Sequence, residues 1–235
     1  MSSTILSLQE VWKTYRMGEV EVHALRGVSL EIPEGEFVVV LGPSGSGKTT
    51  MLNIAGGIDK PTSGRVLFRG KDIGKMSEDE LTEYRRRHVG FVFQFFNLIP
   101  TLTAEENVKL SAELVENPRD AREVLEMVGV GRKADNMPYE MSGGEQQRVA
   151  IARALVKNPS IMLCDEPTGN LDFETGKVVL SVMREINRNE GITFVLVTHN
   201  AVIAKMADRV VRFRDGRVAR VEVNESPLEP EELDW

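Results

Sequence analysis

Eight residues, Gly42-Pro43-Ser44-Gly45-Ser46-Gly47-Lys48-Thr49, form a glycine-framed loop that closes on a lysine and a threonine. The apolar run Phe37–Leu41 leads into it, and a helical stretch, Thr50–Ala55, leaves it. Small residues let successive backbone N–H groups turn inward around phosphate oxygens. Lys48 then reaches the β- and γ-phosphates, and Thr49 offers a hydroxyl to Mg2+. The helix that follows points its positive end at the same anion. A turn with no ligand needs none of this order, so the stretch predicts a bound nucleoside triphosphate.

A second acidic and polar set stands where it can act on that ligand. The run Ile161-Met162-Leu163-Cys164 ends in Asp165-Glu166. In a parallel sheet, ligands gather at the carboxyl ends of the strands, so Asp165 is expected beside the loop as the second group orienting the metal. Glu166, one peptide on, is placed to accept a proton from an attacking water. His199 closes the run Phe194–Thr198 and is expected to steady charge on the γ-phosphate. Gln94 follows Val89–Phe93 and can orient water or metal. Finally, Ser142-Gly143-Gly144 opens a helix over Glu145–Val156. A hydroxyl, free N–H groups and a helix N-terminus make a second anion site, because a plain cap needs the serine but not the glycine pair. One chain with two phosphate sites suggests that the second serves a triphosphate held by another copy.

These residues need a scaffold that brings strand ends together. Four short, continuous apolar runs, Phe37–Leu41, Val89–Phe93, Ile161–Cys164 and Phe194–Val197, read as buried parallel strands with helical patterns between them. Val179, Val182, Met183 and Ile186 recur at helical spacing and predict one stripe laid on the sheet. The stretch 5–32 alternates and reads as an antiparallel flank, joined by 65–68 and by 210–223. Ser77-x-x-Glu80 and Thr103-x-x-Glu106 predict helix starts, and Gly129 and Gly131 a helix stop after the Ala121, Val124, Leu125, Val128 stripe. The expected architecture is thus α/β, with a mostly parallel core sheet, an antiparallel β flank and a helical subdomain inserted over about 95–158. Residues 224–235 hold two prolines and five acidic residues and predict a loose tail after a single domain over 1–223.

Composition narrows the partners. Hydrophobic residues make up 41% and charged residues 28%, and the net charge is −7, which disfavours a nucleic-acid footprint. The run Arg85-Arg86-Arg87-His88 reads as a solvated helix face, with docking of an acidic partner as the alternative. Cys164 is the only cysteine and reads as a small buried hydrophobe in a reducing compartment. No signal peptide is visible, and no apolar run approaches the ~20 residues that span a bilayer, so a membrane role has to be borrowed from another chain.

Over residues 3–222 the pattern resembles the ATP-binding cassette (ABC) ATPases, P-loop NTPases. Gly42–Thr49 resembles their Walker A loop and Ile161–Glu166 their Walker B strand with catalytic glutamate. Ser142-Gly143-Gly144 resembles the signature, Gln94 the Q-loop, Asn170-Leu171-Asp172 the D-loop and His199 the switch histidine. Tyr15 falls where an aromatic stacks on adenine. The resemblance implies ATP and Mg2+ as ligands. Tyr15, Gly42 to Thr50, Ser142 to Gly144 and Asp172 would hold nucleotide. Thr49, Gln94 and Asp165 would hold the metal, and Glu166, His199, Lys48 and Gln94 would act in catalysis. It also implies a head-to-tail homodimer, integral membrane permease subunits as partners, and a cytoplasmic site on the inner face of the membrane. Leu25–Leu30, Met51–Asn53 and Gly90–Gln94 are similar to the branch of lipoprotein-releasing, macrolide-efflux and cell-division ATPases. Met141, Glu145 and Asn170 depart from the commoner Leu, Gln and Ala, and the segment between Asn107 and Met141 is short for that branch.

The leading expectation is therefore the ATPase subunit of a membrane export complex, with a cell-division-type regulator that transports nothing as the alternative. A DNA-repair or translation ATPase of the same class would bring coiled coils, zinc cysteines or a second cassette. A P-loop kinase leaves Ser142-Gly143-Gly144 unexplained.

Overall fold

The computed structural model describes residues 3–234. Two sheets divide the strands. The first is wholly antiparallel, with β1 (Thr4–Met17), β2 (Val20–Pro33), β4 (Ser63–Phe68) and β5 (Lys71–Asp72) in the order β2-β1-β4-β5. The second is the core sheet. It contains β3 (Phe37–Leu41), β6 (Val89–Val92), β7 (Ile161–Asp165), β8 (Thr193–Thr198), β9 (Arg209–Arg214) and β10 (Arg217–Val223), in the order β10-β9-β3-β8-β7-β6. The strands from β9 through β6 are parallel, and β10 adds an antiparallel edge. The 210–223 stretch thus belongs to the core sheet and not to the antiparallel flank. A hairpin whose first strand lies parallel to β3 alternates just as a flank hairpin does, so its pattern does not distinguish the two.

The apolar runs become strands because both faces of the core sheet are covered. Val38 and Val40 face α1 (Lys48–Ala55) and the antiparallel sheet, whereas Phe37 and Val39 face the helices. Phe37 stacks on Phe194 of β8 with ring centres 5.3 Å apart. The stripe of α6 (Phe173–Glu190) buries Val179, Met183 and Ile186 on that second face. Cys164 is wholly buried, and burial pushes its thiol far above the ordinary range, so it is a hydrophobe and not a nucleophile.

Between β6 and β7 lie α3 (Ala104–Ala112), α4 (Ala121–Met127) and α5 (Gly143–Leu155). Thr103 and Glu106 close a capping box on α3, as Ser77 and Glu80 do on α2 (Glu78–His88). Gly129 stops α4 with a left-handed φ of 72°, whereas Gly131 opens a short 3-10 turn instead. The inserted helices share one apolar core with the sheet, running from Val108 and Leu125 through Ile151 to Phe37. Much of the basic run on α2 serves the fold: Arg85 donates to the Gly57 carbonyl, Arg86 and Arg87 both pair with Glu83, and His88 packs on Phe68.

The acidic end of the chain is not loose. Leu233 is fully buried, Leu228 packs on the main core, and a 3-10 turn over Pro230–Glu232 lies against α6. Arg188 grips Glu229 through two bonds of 2.7 and 2.8 Å, and Lys177 donates to the Glu231 carbonyl. Two leucines and α6 cations more than 40 positions upstream outweigh the local acidic composition. Among the described residues, no helix is long and apolar enough to cross a membrane.

Candidate active site

The phosphate loop joins β3 to α1 and is shaped by backbone that only glycine adopts freely. Gly45 and Gly47 have φ of 76° and 101°. At Gly42 a Cβ would lie 2.3 Å from the Phe213 carbonyl oxygen of β9, so the loop can start there only as glycine. Lys48 opens α1, is nearly buried, and donates from Nζ to the Gly42 and Pro43 carbonyls at 2.7 and 3.0 Å. Burial lowers its pKa, against the opposing pull of Glu166 and Asp165. Ser46 Oγ is buried and without a hydrogen-bond partner. An orphaned hydroxyl in a cradle of inward N–H groups fits an anionic oxygen as its missing partner.

Asp165 ends β7, and Thr49 Oγ1 donates to its Oδ1 at 3.2 Å. Burial raises the Asp165 pKa, Thr49 lowers it, and the neighbouring Glu166 raises it again. A hydroxyl and a desolvated carboxylate make an oxygen pair suited to a hard divalent cation.

Successive strand residues point to opposite faces, so two adjacent carboxylates cannot both reach one cleft from a regular strand. The structure resolves this at Glu166, whose φ of 47° is left-handed, a strained state in a non-glycine residue. Its N–H is tied to the Val197 carbonyl at 3.0 Å, which helps hold the twist. The side chain then accepts from Thr198 Oγ1 at 3.1 Å and meets His199 Nδ1 at 2.9 Å. Thr198 is a member of the site that the sequence reading missed: a threonine ending a strand carries no signal of its own. Asn200 N–H donates to the same hydroxyl at 3.1 Å and fixes which way Thr198 gives its proton.

Ser44, Gly45, Gly47, Lys48, Thr49, Thr50, Gln94, Asp165, Glu166 and His199 line one open cleft of about 460 Å3. Val22, His23 and Ala24 of β2 form its other wall, which motif reading did not single out. Gln94 faces the cleft while its amide donates to Asn170 Oδ1 at 3.2 Å, and Asn170 returns a 3.1 Å bond to the Gln94 carbonyl. Tyr15 lies beside the cleft on β1, paired with Val22. The remaining predicted residues lie elsewhere. Asp172 does not line the cleft; its side chain caps α6 by accepting from Thr175 N–H at 3.1 Å. Ser142, Gly143 and Gly144 are likewise absent from the lining. They start α5, where Ser142 Oγ accepts from the Glu145 N–H and Glu145 accepts from the Ser142 N–H, so that of the first turn only the Gly143 and Gly144 N–H groups stand outside the capping box. Gly144 has a packing reason too: a Cβ there would come within 2.1 Å of Thr175 Cγ2 on α6.

A parallel sheet with a glycine loop at β3, a metal-suited carboxylate at β7 and a tethered glutamate beyond it defines a P-loop nucleotide hydrolase. The sequence model of the ABC transporter family matches residues 25–169, and the chain belongs to that family as one of its ATPases. It is 47% identical to the lipoprotein-releasing system ATP-binding protein LolD 1 of Rhodopseudomonas palustris, covering 92% of this chain and 98% of that one. It is 48% identical to the macrolide export ATP-binding/permease protein MacB of Syntrophobacter fumaroxidans, over 90% of this chain but only 31% of that longer protein. Among solved structures, the dimeric post-hydrolysis cassette MJ0796 of Methanocaldococcus jannaschii, bound to ADP and Pi, superposes with a TM-score of 0.86. The two are 46% identical, over 94% of this chain and 99% of that chain.

Proposed function

We propose that this chain is the ATP-hydrolysing subunit of a membrane export complex of the lipoprotein-release or macrolide-efflux type, working as a head-to-tail homodimer on the cytoplasmic face. One observation supports the dimer: the Ser142-Gly143-Gly144 helix end, read as a second anion site, does not line its own chain's phosphate-loop cleft. Two copies related by a twofold axis would bring each helix end to the other's γ-phosphate. The dimeric state of MJ0796, to which the chain is 46% identical, supports a pair of copies.

In this reading the loop N–H groups, Ser46 and Lys48 bind the β- and γ-phosphates, with Lys48 exchanging its carbonyl partners for phosphate oxygens. Thr49, Asp165 and Gln94 would hold Mg2+, which when bound screens the phosphate charge. Glu166, aimed by its backbone twist and by Thr198, accepts the proton of the attacking water; general-base help of this kind is worth about 10²–10⁴ in rate. His199 bridges Glu166 and the γ-phosphate. Tyr15 stacks on the base, and Asp172 acts from the seam between copies. Loss of the γ-phosphate then removes the binding difference that favoured the closed dimer.

The surface for permease subunits is the segment after Gln94. Phe95 is 70% exposed, on a loop that the buried Asn107 side chain secures with bonds to Ile99, Leu102 and Thr103. A cell-division-type ATPase, coupled to the membrane without cargo, would use the same surface.

Glu166→Gln is expected to keep ATP binding, lose nearly all turnover and accumulate a dimer with ATP on gel filtration. Ser142→Arg is expected to keep nucleotide binding by the monomer but abolish that dimer. Normal hydrolysis by the first variant would remove Glu166 from its role, and equal loss of binding and dimer in the second would make Ser142 a folding residue.

A further inference from the structure

Tyr15 is held by more than its strand. Its hydroxyl donates to Asp59 Oδ2 at 2.7 Å, while Asp59 Oδ1 accepts from Lys13 Nζ at 2.6 Å and from Lys60 N–H at 2.7 Å. Asp59 lies in the turn after α1, the helix that the phosphate loop opens, so this carboxylate joins the β1 edge to the phosphate-binding unit. Lys13 Nζ also donates to the Lys60 carbonyl at 2.8 Å and sits 4.9 Å from the centre of the Tyr15 ring. Burial works against the charge on Asp59, yet the bonds from Lys13, Tyr15 and Lys60 outweigh it and hold the carboxyl below its ordinary value. A tyrosine free at its hydroxyl swings about two side-chain torsions. One anchored at both ends presents a fixed plane.

We infer that Asp59 is a positioning residue for the base: through Tyr15 it fixes the stacking plane at a set place relative to the phosphate loop. Lys13 completes the clamp by neutralising Asp59 and occupying space over the ring, so that the base takes the open side. The inference rests on the reading of Tyr15 as the stacking residue. Asp59 itself touches no nucleotide; it removes the freedom that a stacked base would otherwise have to freeze out.

The clamp predicts that its loss weakens ligands that carry a base and spares those that do not. The test measures binding of ATP and of inorganic tripolyphosphate by calorimetry, both with Mg2+, for the full chain and for Tyr15→Ala, Asp59→Ala, Asp59→Asn and the Tyr15→Ala/Asp59→Ala double variant. Tyr15→Ala is expected to weaken ATP by at least about fivefold, the low end for one base–aromatic stack, with tripolyphosphate unchanged. Asp59→Ala is expected to weaken ATP several-fold with tripolyphosphate unchanged. Asp59→Asn, whose oxygen can keep the Lys13 and Lys60 donors while its NH2 donates to the phenol oxygen, is expected to recover most of that loss. In the double variant, Asp59→Ala should add nothing to Tyr15→Ala. If Tyr15→Ala leaves ATP binding intact, the stacking reading fails and this inference with it. If Tyr15→Ala weakens ATP but Asp59→Ala does not, only the inference fails. Equal loss of both ligands in Asp59→Ala, or additive losses in the double variant, would make Asp59 a general structural residue and also overturn it.

Discussion

Replacing Gly144 by alanine places a methyl carbon 2.1 Å from Thr175 Cγ2. Carbon atoms pack best at about 3.5–4.0 Å, so the overlap is at least about 1.4 Å, and either α5 and α6 part or Thr175 leaves its rotamer. Overpacking of that kind costs about 1–3 kcal/mol. Alanine recovers at most about 1 kcal/mol of helix propensity over glycine, and less at a helix start. The net loss is about 1–2 kcal/mol, which in a domain of this size lowers Tm by about 2–8 °C. Thr175→Ser deletes the offending methyl and keeps the hydroxyl. The Gly144→Ala/Thr175→Ser pair should therefore melt close to Thr175→Ser alone in a calorimetric or fluorescence scan. Because alanine keeps the backbone N–H, the pair should also keep ATP-dependent association in the Glu166→Gln background. A Gly144→Ala variant as stable as the wild type would refute the packing argument, as would a failure of Thr175→Ser to restore it. Recovery of Tm without recovery of association would show that Gly144 is needed for close approach to the other copy's phosphate and not for packing.

Two further outcomes test the scaffold. Asp208 accepts two bonds from Arg184, at 2.9 and 2.6 Å, and one from Phe37 N–H, and these outweigh burial and hold its pKa below the ordinary value. Asp208→Asn should cost about 3 kcal/mol at pH 7, the low end for a broken buried pair, since the Asp208 side chain keeps 30% of its exposure. A depressed folded-state pKa stabilises fully above the unfolded value and is lost as pH falls, so in denaturant melts the gap to wild type should narrow below about pH 4. Leu233→Asp should free residues 225–234, at a cost of about 1.5–3 kcal/mol for one unburied leucine, and expose them to limited proteolysis; a segment that is cut equally in the wild type would contradict its docking.

The parallel strands and the loop at the end of β3 were legible because doubly covered strands are continuous apolar runs and glycine-rich phosphate loops have few substitutes. Helix starts at Ser77 and Thr103 were legible for a similar reason, since a capping box is a purely local bond pattern. What escaped was non-local. The sheet that takes 210–223 depends on whether β9 finds β3, and the docking of 224–234 depends on cations spaced along α6. At the site itself what escaped acts through backbone or through hydrogen bonds. The role of Glu166 was expected but not the left-handed φ that aims it; Thr198, which steers its carboxylate, and Asn107, which satisfies three carbonyls in the loop after Gln94, were not expected. None of these leaves a spacing in the sequence. Asp172 shows the converse: its residue type suits an N-cap and a ligand equally, and only the first role is met within one chain.

Each side chain proposed to act on the triphosphate also bonds within the protein: Lys48 to two carbonyls, Thr49 to Asp165, Glu166 to Thr198 and His199, Gln94 to Asn170. Each bond these groups make to phosphate or metal therefore replaces an existing one, and the net stabilisation from one copy's own half-site is smaller than the new bonds alone suggest. Ser46 is the exception, with a buried hydroxyl that finds a partner and gives up none. The α5 end is different again: its capping box takes the Ser142 and Glu145 N–H groups, whereas those of Gly143 and Gly144 precede the intrahelical ladder and are the ones an anion would meet. On the proposed reading, the largest uncompensated stabilisation on closure comes from the second copy. That makes the closed state depend on the γ-phosphate of the opposite site more than on the nucleotide's own cradle.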